Sequence, residues 1–192
     1  MRQHIAPAFR MMFLMTVLTG LIYPGVVTAV CQILFPAQAN GSLVKVNGKV
    51  AGSALIGQNF SKPGDFQPRP SAAGNGYDAT ASGGSNYGPT SQRLIDRVKA
   101  SVAQFRKDNP DYKGPIPADI VTASASGLDP EISPASALAQ APRIAEARGI
   151  SVGQVEQLIS SHTEGRDLGF LGEPRVKVLM LNLEMDRRFG HK

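Results

Sequence analysis

Three glycine patterns in this sequence have spacings suited to holding a phosphate, and two of them lack a partner that the chemistry requires. Four residues separate Gly52 from Gly57, the P-loop interval, but Gln58 follows where a phosphate-gripping lysine belongs. A Walker loop is excluded. Gly74, Gly76 and Ala79 fit the dinucleotide-binding interval, yet they follow Arg69-Pro70-Ser71 instead of a strand and lead into further loop instead of a helix. The run Ser82, Gly83, Gly84, Ser85, Asn86 survives as a candidate, because successive backbone N–H groups in a glycine-permitted turn can form an anion-binding nest. Its competing reading is a tight turn that needs a positive φ.

Hydrolytic and metal chemistry have less support. Of three histidines, His4 and His191 lie at the ends, leaving His162 as the one possible base inside the chain. No Gly-x-Ser-x-Gly elbow accompanies it, and Ser124 and Ser126 read as turn and cap residues. A hydrolase built on His162 and a nearby serine is the third class of reading. No pair of His or Cys stands at ligand spacing, and Asp129-Pro130-Glu131 lacks companions. The carboxylates that would attract cations, Asp65, Asp78 and Asp129, are scattered. The aspartyl-phosphate signature Asp-Lys-Thr-Gly is absent. The expectation is a chain with no catalytic residues, no metal and no cofactor of its own.

What must position any such group is an anchor. Between Arg10 and Lys45 no residue is charged, and residues 11–35 are almost continuously apolar, long enough for a hydrocarbon core that needs about 20 residues. A cleaved signal peptide is the rival reading, since Ala37-Gln38-Ala39 looks like a cleavage site, but a signal core runs to only about 7–15 residues. Arg2 and Arg10 precede the span, and only Lys45 and Lys49 follow it closely. Residues 1–10 are therefore expected in the cytoplasm, 11–35 in the membrane, and 41–192 as an extracytoplasmic domain. Within the span, Thr16, Gly20, Pro24, Thr28 and Gln32 recur every four residues. They make a stripe of small or polar groups against which another helix can pack, while Leu14, Leu18, Leu21 and Val30 lie away from it.

The rest is one domain of about 150 residues, large enough for its own core. The net charge of +5 falls to about +3 without Arg2 and Arg10, and no dense basic cluster exists, so nucleic acid is not an expected partner. Cys31 is the only cysteine and lies in the span, so no internal disulfide is available. Asn47-Gly48 between two Val-containing runs predicts a type I′ hairpin over residues 42–53. Residues 58–88, rich in Gly, Pro, Ser and Asn, form a long functional or packed loop. Thr90 is expected to cap a helix that carries Leu94, Ile95, Val98, Val102 and Phe105 and ends at Asn109-Pro110. Residues 117–123 read as a short strand. Ser133-Pro134 opens a helix closed by Gly149, with a kink or break at Pro142, and Ser151 with Gln154 makes a capping box. Arg175 to Leu183 reads as a buried strand running into a terminal helix. The fold class is a single transmembrane helix followed by one mixed α/β extracytoplasmic domain.

Several blocks in fixed order carry a family resemblance: Gly41-Ser42-Leu43, Gly52-Ser53-Ala54-Leu55-Ile56-Gly57-Gln58 with Phe60, Arg69-Pro70-Ser71-Ala72 and Ala81-Ser82-Gly83-Gly84-Ser85-Asn86. Val121-Thr122-Ala123-Ser124, Ser126-Gly127-Leu128-Asp129, Pro142-Arg143 with Ala145, Ala147 and Arg148, and Asn182-Leu183 with Asp186 continue it over nearly the whole chain. The sequence resembles the KdpC family, the accessory subunit of the bacterial Kdp potassium-transporting P-type ATPase. One departure is Lys177, where the family usually has Asn.

The resemblance implies a single-pass subunit in the inner (plasma) membrane, with KdpA, KdpB and KdpF and the surrounding lipid as partners. ATP and potassium would be handled by the complex. The implied role is to stabilise assembly of the channel-like and ATP-hydrolysing subunits, with an effect on ATP use or ion access. The alternative is a nucleotide-binding module that uses the Ser82–Asn86 loop to raise directly the ATP affinity of the pump subunit. An outside domain argues against direct contact with ATP, which lies across the bilayer.

Overall fold

A computed structural model describes residues 2–190, and His191 lies outside the described residues. The chain divides into two compact units, residues 1–51 and 52–192.

The first unit is mainly helical. Helix α1 (Arg2–Val17) passes through a π-helical turn (Leu18–Ile22) into α2 (Tyr23–Leu34). The cause is Pro24, which has no N–H to give the carbonyl of Gly20 and whose ring crowds it. In the widened turn the N–H of Tyr23 donates to the carbonyl of Leu18, five residues back. After a bend at Phe35 comes the single turn α3 (Pro36–Ala39), then the hairpin β1 (Leu43–Val46) and β2 (Lys49–Ser53). Asn47 and Gly48 both have positive φ, 51° and 78°, as a type I′ turn demands.

The second unit is a mixed helix and strand domain. Helix α4 (Gln92–Asp108) begins one residue later than expected, with Ser91 and not Thr90 at its N-cap, and stops at Asn109. Residues 117–123 are not a strand: Ala118–Val121 forms a helical turn, α5. Pro117 supplies the fixed φ that starts it, and Asp119 in its first turn turns its carboxylate onto the next helix, accepting from Ser133 N–H at 2.7 Å and Oγ at 3.1 Å and from the Ser136 hydroxyl. A tertiary capping contact overrides the strand-like composition.

Helix α6 (Pro134–Arg148) is capped by Ser133 and closed by Gly149. It runs unbroken through Pro142, because the buried neighbours Ala141, Arg143 and Ile144 hold the chain in place against a penalty of about 3 kcal/mol. Helix α7 (Val152–Ser161) has both halves of the Ser151/Gln154 capping box. Strands β3 (Glu131–Ile132), β4 (Thr163–Glu164) and β5 (Arg175–Lys177) form an antiparallel sheet with β5 central, Ile132 and Thr163 both opposite Val176. The last strand does lead straight into a terminal helix, but it stops at Lys177: residues 178–183, expected to continue it, already belong to α8 (Val178–Phe189). The core joins Phe66 from the long loop to Ile144 of α6, Leu158 of α7, and Leu181 and Met185 of α8.

Candidate functional site

No side chain of the N-terminal helix from Gln3 to Leu34 is buried within the protein, although its 32 residues are apolar enough to cross a membrane. At 1.5 Å per residue the helix spans roughly 48 Å, more than a hydrocarbon core of about 30 Å. Phe13, Leu21 and Ile33 are all about 70% exposed or more. Thr16, Gly20, Pro24, Thr28 and Gln32 are exposed along it, and a Cβ placed on Gly20 would meet nothing within 4 Å. A four-residue step overshoots a full α-helical turn by about 40°, whereas a π turn is wider, so the Leu18–Ile22 segment reduces the drift of this stripe. Gln32 exchanges amide hydrogen bonds with Asn40 at the end of the span.

In the second unit the long loop is bound by buried polar side chains. Asn182 accepts from the N–H of Phe66 and donates to its carbonyl, and Gln140 does the same for Gln67. Arg143 donates to the carbonyls of Pro63 and Asp65 and to the Asn109 side chain. Arg148 donates to the carbonyls of Gly64 and Gly190 and pairs with Asp65 at 2.9 Å and Asp186 at 2.8 Å. Burial lowers the affinity of the Arg143 guanidinium for its proton, since its direct partners are neutral. Between this loop and α4 lies an open groove of about 930 Å³, with Arg69, Tyr77, Arg97 and Gln104 on its walls and Arg143 beneath. Burial, then the Asp129 carboxylate, pushes the Tyr77 phenol well above its ordinary range.

The Ser82–Asn86 loop lies along residues 125–127. Ser82 Oγ and Gly83 N–H both donate to the Ser126 carbonyl, at 2.9 Å each, and a Cβ on Gly84 would stand 2.8 Å from the Ala125 carbonyl oxygen. Asn86 has a positive φ of 50°. The three carboxylates considered for cations sit apart: Asp65 is held by Arg148, Asp129 by Arg69 at 2.7 Å, and Asp78 accepts from Thr80 N–H and Oγ, which holds its carboxyl below the ordinary range. His162 ends α7 beside Ser161, but that serine hydroxyl donates to the Leu158 carbonyl. Among the described residues no group of three or more His, Cys, Asp and Glu is placed to hold a metal ion. Lys177 ion-pairs with Glu164 at 2.6 Å across the sheet.

Sequence reading missed the roles of Gln140, Arg143, Arg148 and Asn182. A signal existed: Ala137, Ala141, Ile144 and Arg148 fall at helical spacing, which puts a guanidinium on the buried face.

An exposed apolar helix long enough to cross a membrane, followed by a small packed domain, fits a single-pass membrane protein. Its family profile is that of the K+-transporting ATPase c chain, matched over residues 5–187. Proteins named as the potassium-transporting ATPase KdpC subunit are similar throughout. That of Myxococcus xanthus is 56% identical over 184 residues, covering 95% of this chain and 87% of the relative. That of Gemmatimonas aurantiaca is 55% identical over 187 residues, covering 97% and 94%. That of Mycobacterium tuberculosis is 53% identical over 188 residues, covering 97% and 100%. The chain belongs to the KdpC family, accessory and not catalytic subunits of potassium-transporting ATPases.

Proposed function

We propose that this chain is a non-catalytic subunit that stabilises a potassium-uptake complex, with its helix packed on the transport subunits and its domain outside the cytoplasmic membrane. One observation carries the reading: a 32-residue apolar helix whose side chains are exposed, bearing a line of small and polar residues. Such a line lets a second helix approach closely in lipid, where the gain comes from packing and not from water release. Arg2 and Arg10 ahead of the span support a cytoplasmic N-terminus. The partners implied by the family are KdpA, KdpB and KdpF together with lipid, and the complex handles ATP and potassium.

The Ser82–Asn86 loop is read as structural. The Gly83 N–H, which an anion nest would use, is engaged by the Ser126 carbonyl, and this favours assembly over the nucleotide-module alternative. The test is co-purification in mild detergent. The double variant Gly20→Leu, Thr28→Leu should release the chain from its complex, and retention at the level of the unaltered chain would refute the reading.

A further inference from the structure

Asp65 is the first acidic residue of the chain, so the β1–β2 hairpin carries Lys45 and Lys49 in a stretch with no carboxylate of its own. Both lysines are exposed, and neither has an ion pair or a side-chain hydrogen bond among the described residues. Beside them Leu43 is 51% exposed, Val46 42% and Val50 57%. Successive residues of a strand point to opposite sides, so Lys45 and Val46, like Lys49 and Val50, lie on opposite faces of the hairpin. Both faces are therefore open, and an isolated two-stranded hairpin is marginally stable in water at best.

The root of this hairpin is tied to the end of the apolar helix. The helix breaks at Phe35, and beyond it the Asn40 side-chain amide exchanges hydrogen bonds of 3.1 and 3.4 Å with that of Gln32 and donates to the Pro36 carbonyl. Residues eight apart along a continuous helix are separated by about 12 Å, so this pair marks a chain that bends back toward the helix. Ser42 N–H donates to the Ala37 carbonyl at 2.9 Å and closes the bend. Gln32 lies two residues before Leu34, where the apolar helix ends, and β1 starts three residues after Asn40. The hairpin is thereby rooted at the edge of the span. The headgroup layer there is about 5–8 Å thick, and strands of this length reach about 13–17 Å.

We propose that the hairpin is a second membrane contact, in which Lys45 and Lys49 bind the phosphates of anionic phospholipid headgroups and Leu43, Val46 and Val50 lie at the acyl boundary. Exposed apolar residues interleaved with unpaired cations suit an element that lies in the interface. A lysine keeps its apolar stem against the acyl boundary and extends its amine to the phosphate. A fluid headgroup layer surrounds both faces of a hairpin, whereas a folded protein surface would cover one. The proposal rests on the reading of the N-terminal helix as a membrane span, and not on a partner helix or on which side the domain lies.

The test uses the full chain in a Cys31→Ser background, with an environment-sensitive fluorophore attached through Val46→Cys or, for reference, through Glu156→Cys at an exposed position of α7. Each is reconstituted into phosphatidylcholine vesicles, with or without phosphatidylglycerol, that carry a nitroxide on the lipid headgroup. Quenching at 46 should exceed that at 156 and rise with phosphatidylglycerol. Lys45→Gln with Lys49→Gln should lower the bound-to-free ratio of the hairpin about fivefold per lysine, and raised salt should act in the same direction. Quenching at 46 no greater than at 156, or no response to phosphatidylglycerol and to the glutamine pair, overturns the proposal. A benzophenone side chain at Val50, in membranes that hold the other subunits, should give adducts to lipid, and adducts to polypeptide alone overturn it as well. A label attached through Leu21→Cys and quenched by acyl-chain nitroxides reports on the span itself. Quenching at 21 with none at 46 defeats the hairpin contact and leaves the span standing, and loss at both defeats the two together.

Discussion

The side-chain amide of Asn182 takes both backbone polar groups of Phe66, accepting from its N–H at 2.7 Å and donating to its carbonyl at 3.0 Å, across 116 residues of chain. An amide is suited to this because it presents one acceptor and two donors in a plane, as a strand edge does. Phe66 is thereby delivered into the core with no buried backbone group left unsatisfied. Asn182→Leu should destabilise the protein by about 3 kcal/mol, because two buried backbone groups lose their partner at once. Urea titration of the purified chain in detergent, followed by circular dichroism, measures this.

Arg148 should be still less replaceable. It reaches Asp65, Asp186 and the carbonyls of Gly64 and Gly190 from one guanidinium that is 4% exposed. Arg148→Met strands the buried Asp65 carboxylate, and removing one partner of a buried pair typically costs about 3–5 kcal/mol. Arg148→Lys should rescue little, since an ammonium lacks the planar fork. A lysine variant as stable as the unaltered chain would contradict this geometry.

The glycine loop offers a sharper contrast. Gly84→Ala drives a methyl group to within 2.8 Å of the Ala125 carbonyl oxygen, whereas a methyl group on Gly83 meets nothing within 4 Å. The first should cost about 1–3 kcal/mol, the scale of overpacking, and the second almost nothing. Thermal midpoints of the two variants decide it. Equal effects would mean that Ser82–Asn86 is not held against residues 125–127.

A pH effect is expected at the C-terminal helix. Hydrogen bonds from Arg187 first, then from Arg188, hold the Glu184 carboxyl at about 2, below its ordinary 4.5. A lowered folded-state value stabilises the fold above the ordinary value, and that contribution fades as pH falls from about 4.5 toward about 2. The unaltered chain should exceed Glu184→Gln in thermal midpoint at pH 7, and the gap should close by pH 2. A gap that is constant with pH would contradict the pairing.

What could be read in the sequence was what local chemistry decides. Asn47-Gly48 made its hairpin turn, Ser133-Pro134 and Ser151 with Gln154 opened their helices, and the apolar run made a long helix, because each signal lies within four residues of its effect. The helical turn at Ala118–Val121 was not legible, since it depends on Asp119 capping a helix 14 residues away. Nor was the binding of the long loop, in which Gln140 and Asn182 answer Gln67 and Phe66 across 73 and 116 residues. Lys177 shows the same limit: its partner Glu164 is set by the register of β4 on β5, which no single segment encodes.

The central claim is that the helix stays in the membrane and holds the domain outside. Protease added to intact spheroplasts tests it most directly. Digestion of the domain while a cytoplasmic marker survives is the predicted result, and a domain that resists until the membrane is breached would contradict the account.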